Sequence, residues 1–116
     1  MIFVLMLAAA ADVSSLVGTW RGESLCTVKP SSCNDERVVY HIARGAAAGT
    51  VTIQADKIVD GKALDMGTLD CTWDGAALTC LIPKGTFRFE LAADHLRGTL
   101  KQADGTLFRK IDVKKD

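Results

Sequence analysis

From residue 17 to its end the chain is a succession of short segments in which apolar and polar residues alternate, each cut off by glycine, Asp-Gly or Ala-Asp. Period two places successive side chains on opposite faces of a strand, and no stretch holds a helical period long enough to make a helix. The alternation therefore predicts an all-β chain. Eight strands fall at about 17–26, 36–43, 49–58, 63–73, 77–83, 86–92, 95–102 and 106–113. Most connections are short enough for hairpins, so the expected architecture is an antiparallel up-and-down meander. An open meander of this kind leaves two edges exposed, and closing it into a small barrel removes both. A two-sheet β-sandwich is the alternative.

One face of these strands is apolar. It comprises Val38, Tyr40 and Ile42, then Val51 and Ile53, then Leu69, Cys71 and Trp73, then Leu78, Cys80 and Ile82. It continues through Phe87, Phe89 and Leu91, Leu96 and Leu100, and Leu107, Ile111 and Val113. The residues between them, such as Thr52, Gln54, Asp70, Thr72, Arg88, Glu90, Arg97 and Lys101, suit solvent. In "VDGKALDMGTLD" a three-residue loop ending at Gly61 keeps Val51 opposite Leu69 on the apolar face, whereas a two-residue turn opposes Val51 to Asp70. Leu64 and Met66 then face outward, which calls for a covered site or a bulge near Gly67.

Four cysteines form two close pairs along the sequence. In "CTWDGAALTC" a two-residue turn at Gly75-Ala76 sets Asp74 against Ala77, Trp73 against Leu78 and Cys71 against Cys80. Cys71 and Cys80 then form a non-hydrogen-bonded pair, whose Cα separation of about 4.5 Å suits a disulfide. The second bridge joins Cys26 to Cys33 across "CTVKPSSC", where Pro30 and the serines favour a turn. Neither histidine lies near a cysteine pair and no C-x-x-C spacing occurs, so the cysteines do not read as metal ligands. Two bridges in a short chain point to an oxidising compartment. The start agrees: "MIFVLMLAAAA", residues 1–11, reads as a signal peptide with Ala9 and Ala11 as the small-x-small cleavage signal, the alternative being a buried or anchoring helix. The remaining 12–116 form a single domain, expected to be periplasmic or extracellular and not in the membrane once the leader is removed. Fourteen basic and fourteen acidic residues cancel and lie interspersed, so no field attracts nucleic acid or an anionic surface.

The first strand, "LVGTWRGESLC", places Trp20, Gly22, Ser24 and Cys26 on one face. Its Gly18-x-Trp20 resembles the opening of the lipocalin-like (calycin) barrels, and the chain is loosely similar to small exported bacterial β-proteins of unassigned function. The chain departs from lipocalins in being shorter, in lacking their C-terminal helix and in its cysteine positions. The resemblance implies that Trp20 closes the barrel floor beneath an arginine from the last strand. Arg109 in "TLFRKIDV" shares the parity of Leu107, Ile111 and Val113, so it breaks an otherwise apolar face and is the expected cation over the indole, an arrangement worth about 0.5–2 kcal/mol. The alternative is a frayed strand end from which Arg109 reaches water.

Bulky side chains dominate the inward set, and only Gly22, Ser24, Gly67 and Gly98 leave room. A recess is therefore expected along the first strand near Tyr40, whose hydroxyl either fixes a polar group or bonds a carbonyl as an ordinary core residue. The candidate ligand-binding residues are Trp20, Ser24, Tyr40 and Arg109, with no catalytic set, metal or cofactor. His41 has outward parity, His95 follows a turn, and Asp35-Glu36 read as a solvated loop pair. Two functions fit: a barrel that binds a small apolar ligand, or a filled barrel acting as a protein-interaction or inhibitor module through a surface patch at Leu64 and Met66.

Overall fold

A computed structural model describes residues 12–28 and 32–116. Residues 1–11, where a signal peptide is expected, and residues 29–31 of the first loop, Pro30 among them, lie outside the described residues. Eight strands run in order: β1 (Gly18–Cys26), β2 (Glu36–Arg44), β3 (Thr50–Val59), β4 (Lys62–Trp73), β5 (Ala77–Ile82), β6 (Gly85–Ala92), β7 (His95–Gln102) and β8 (Leu107–Lys115). Each pairs antiparallel with the next, and β8 returns to β1 to close a barrel. The sandwich alternative is thereby set aside. The interior is the predicted apolar face: Ile53, Leu78, Cys80, Phe89, Leu96 and Val113 are all buried.

The β4–β5 hairpin forms as expected. Asp74 N–H donates to the Ala77 carbonyl at 3.2 Å across a two-residue turn, and Cys71 faces Cys80 with a Cα separation of 4.3 Å. Both disulfides, Cys71–Cys80 and Cys26–Cys33, are formed. Closing loops this short stabilises a chain by about 2–3 kcal/mol each on the entropic estimate. Non-reducing peptide mapping is expected to recover these two pairs and no crossed product, and reduction should lower the unfolding midpoint in urea.

The β3–β4 hairpin corrects the expected register. Its turn has two residues, Asp60 and Gly61, with φ of 51° and 76°, the pattern of a type I′ turn. Val59 pairs with Lys62, and the ladder then shifts by one residue where Ala55 opposes Gly67 but Asp56 opposes Asp65. Met66 is the extra residue of a bulge. The bulge restores the parity that the short turn would have reversed, so Val51 meets Cys71 and Ile53 meets Leu69 rather than Val51 meeting Leu69. Beyond the bulge Leu64 pairs with Lys57, which faces Val38, so it shares the inward parity rather than the expected outward one, and it is exposed because that stretch of β4 has no β5 partner.

Two glycines counted as free space are filled. A Cβ on Gly22 would lie 1.9 Å from the Asp112 carbonyl oxygen of β8, so the missing side chain lets β1 and β8 approach closely. A Cβ on Gly98 would lie 2.5 Å from the ring of Phe89, its cross-strand partner, which covers the gap.

Turn carboxylates brace the hairpins. Asp74 Oδ1 accepts from the N–H groups of Ala77 and Ala76, Asp104 Oδ1 from Thr106 N–H, and Asp65 Oδ1 from Gly67 N–H within the bulge. Those amides hold each carboxyl below the ordinary 3.8. A carboxyl more acidic when folded than unfolded contributes stability that is fully present above the unfolded value and is lost as pH falls through the folded one. Urea unfolding should therefore be insensitive to these groups well above 3.8 and weaken progressively below it. Asp74→Asn, which keeps the acceptor and removes the titration, should flatten that acid limb.

Candidate functional site

The strands alternate in direction, so the barrel has two unlike ends. At the end where β1 begins, the lead-in segment folds inward: Val13 and Leu16 are buried, and Leu16 N–H donates to the Val13 carbonyl at 2.9 Å. Trp20, fully buried, donates from Nε1 to the Leu16 carbonyl at 2.8 Å. This end is closed.

The expected cation over Trp20 is a different residue. The β1–β8 register sets Trp20 opposite Lys115 and Cys26 opposite Arg109. Lys115 Nζ lies 5.6 Å from the centre of the Trp20 ring and donates to the Ser15 carbonyl at 3.1 Å. Arg109 is six residues farther along β1, about 20 Å away along the strand.

At the other end the interior is not filled. A cavity of about 330 Å³ is lined by Ser24, Val38, Tyr40, Ala55, Leu69, Phe87 and Leu100, together with Glu36, Arg109 and others. Leu69, Ile82, Phe87 and Leu100 are only partly buried here, in contrast to Ile53, Leu78 and Phe89 nearer the floor. Three of the four predicted binding residues, Ser24, Tyr40 and Arg109, meet in this cavity. Trp20 does not join them and serves as the floor.

The polar groups gather in one corner. Arg109 Nη1 donates to both the carbonyl and the hydroxyl oxygen of Ser24, each at 3.2 Å, and lies 3.2 Å from Glu36 Oε1. The two charged side chains are 14% and 20% exposed, so neither is freely hydrated and each compensates the other. Tyr40 is buried beside them. Burial, reinforced by the Glu36 carboxylate and partly offset by Arg109, pushes its hydroxyl well above the ordinary range, so Tyr40 is a neutral phenol at any physiological pH.

Glu36 is the residue that reading Asp35-Glu36 as a solvated loop pair misses. It opens β2 and shares the inward parity of Val38, Tyr40 and Ile42, so extending the face by one step was the signal that finds it. Asp35 also has a structural task, accepting from the Cys26 amide at 2.8 Å. The histidines lie on the outside, His41 at 3.0 Å from Asp56 and His95 at 2.7 Å from Asp112.

The cavity wall is incomplete on one side. β4 and β5 share three register pairs, from Cys71↔Cys80 to Trp73↔Leu78, and part beyond the disulfide. Among the described residues, Lys62–Asp70 of β4 pairs with β3 alone. Met66, Gly67, Thr68 and Leu69 on one lip and Ile82 on the other line the cavity, so this seam is a lateral opening. Leu64, Met66 and Leu81 beside it are exposed.

A larger depression of about 470 Å³ lies on the outer surface, over β6, β7, β8 and β1. Its charges neutralise one another on the surface, as in the 3.2 Å Arg97–Asp112 pair. Six charged residues, Glu23, Arg88, Glu90, Arg97, Lys110 and Asp112, line this groove, whereas the interior cavity has two, Glu36 and Arg109, paired in one corner.

These features define a small antiparallel up-and-down β-barrel, closed at one end by a tryptophan and hollow at the other. No protein-family model matches the chain, and no curated protein is similar to it.

Proposed function

We propose that this protein is a small-molecule-binding barrel that takes an apolar ligand, polar at one end, into the hollow half of its interior. The observation that supports this reading is the cavity itself: apolar walls contributed by most of the strands, with Arg109, Glu36, Tyr40 and Ser24 converging in one corner. Its volume sits at the lower end of the range for small-molecule sites, about 300–1,000 Å³. The resemblance to lipocalin-like barrels is supported by the up-and-down closure, the lead-in segment and the Trp20 floor under a cation from the last strand, which here is Lys115. The two disulfides suit an exported protein working in an oxidising compartment.

Ala55 lines the cavity from β3, and Ala55→Phe fills it at an overpacking cost of about 1–3 kcal/mol. Titration with a neutral lipophilic fluorophore such as phenylnaphthylamine is expected to show saturable binding to the native protein, weakened at least about tenfold by Ala55→Phe. Equal binding by a folded Ala55→Phe protein would place the ligand elsewhere.

A second reading is favoured by one observation. The exposed Leu64, Met66 and Leu81 lie beside the stretch of β4 that has no strand on its β5 side, and an unpaired edge is a template for adding a strand from a partner. Native mass spectrometry of protein purified from its own source separates the two: a co-purifying small molecule supports the binding barrel, a co-purifying polypeptide the interaction module.

A further inference from the structure

The polar corner of the cavity holds one positive and one negative side chain, and this balance restricts what a bound molecule carries at its polar end. Arg109 donates to Ser24 from Nη1 and lies 3.2 Å from Glu36 through the same nitrogen; among the described residues Nη2 and Nε donate no hydrogen bond. The Tyr40 hydroxyl, buried beside the pair, keeps its proton and is a donor. Glu36 offers carboxylate oxygens as acceptors. The corner therefore presents donors and an acceptor while its formal charge is already zero.

We infer that the cavity selects an uncharged amphiphile, an apolar tail ending in a hydroxyl or amide group, over the carboxylate or ammonium of the same chain length. The inference rests on the reading of the barrel as a binding site. A carboxylate head would have to share Arg109 with Glu36, and two like charges around one guanidinium in a partly dehydrated corner repel. An ammonium head would face Arg109 in the same way. A hydroxyl has neither difficulty: its oxygen accepts from Arg109 or Tyr40, and its proton goes to Glu36. An amide offers the same two functions. The tail lies against Val38, Ala55, Leu69, Phe87 and Leu100.

The test is a calorimetric titration of the disulfide-bonded protein at neutral pH with decanol, decanoate and decylammonium. Decanol is expected to bind tightest, with each ion weaker by about tenfold or more. Decanoate or decylammonium binding as tightly as decanol overturns the inference and leaves a binding barrel in place. Binding of none of the three, nor of the neutral fluorophore, overturns both the inference and the reading beneath it. Removing one charge at a time should move the preference in opposite directions. Glu36→Gln leaves Arg109 unopposed and should improve decanoate by about tenfold relative to decanol, whereas Arg109→Gln leaves Glu36 unopposed and should improve decylammonium similarly. The two variants are independent, so failure of one to fold leaves the other to decide. A folded variant with an unchanged order of preference overturns the role assigned to the pair.

Discussion

Replacing Phe89 with alanine is expected to cost about 3–5 kcal/mol and to lower the melting temperature by more than about 12 °C. The ring is 1% exposed at the middle of the barrel, meets Tyr40 edge-on at 6.0 Å, stacks with Phe87 at 6.2 Å, and covers Gly98 across the ladder. Its loss would leave a void that the rigid wall of the barrel is poorly able to close, because the strands around it are held by continuous ladders. Small domains have only about 5–15 kcal/mol in total, so the variant is expected to be largely unfolded under mild denaturation. Arg88→Ala, one residue away, is the control. Its side chain is exposed and lies 3.6 Å from a still more exposed Glu90, so the change should be within about 0.5 kcal/mol. Equal effects from Phe89→Ala and Arg88→Ala, measured by urea unfolding, would contradict the inward placement of Phe89.

Trp20→Ala is expected to match or exceed that loss, at about 3–5 kcal/mol, because it removes the floor together with the hydrogen bond that ties the lead-in segment to it. Leu16 would lose its principal cover and the closed end would admit water. Lys115→Met should cost much less, about 0.5–1 kcal/mol, and only part of that when Trp20 is already leucine, since the two side chains are in contact. Arg109→Gln should behave differently. It lies on β8 opposite Cys26, at the far end of β1 from Trp20, and its effect on stability should simply add to that of Trp20→Leu. A double-mutant cycle in which Arg109 rather than Lys115 couples to Trp20 would contradict the observed β1–β8 register.

The closed and hollow halves divide the labour of the molecule. Stability is concentrated where Trp20, Leu78, Phe89 and Val113 fill the interior, and this frees the opposite half to keep a cavity. The Cys71–Cys80 bridge lies at the boundary, clasping the last register pair before β4 and β5 separate. The seam thus opens beside a covalently fixed point.

Short-range order was legible from residues alone. The period-two alternation placed all eight strands, the parity of Arg109 marked it as an inward cation, and the spacing between Cys71 and Cys80 selected one turn, because each of these depends on neighbours within a single strand or hairpin. The β3–β4 register was less accessible: a type I′ turn and a bulge at Met66 offset each other in parity, and an alternation count records only their sum. Closure into a barrel followed from the need to remove two edges, but the register of that closure was beyond local reasoning. No turn links β1 to β8, so their register follows from how the whole sheet staggers on itself, and that stagger put Lys115 rather than Arg109 over Trp20. The same stagger delivered Arg109 to Glu36, Ser24 and Tyr40, and left Gly22 and Gly98 filled while the space near Ser24 stayed open. The sequence determined which residues face inward except where bulges at Met66 and Phe108 shift the parity of Leu64 and Leu107; only the closed sheet determined which of them meet, because contact across a barrel depends on its shear and tilt, quantities to which all eight strands contribute.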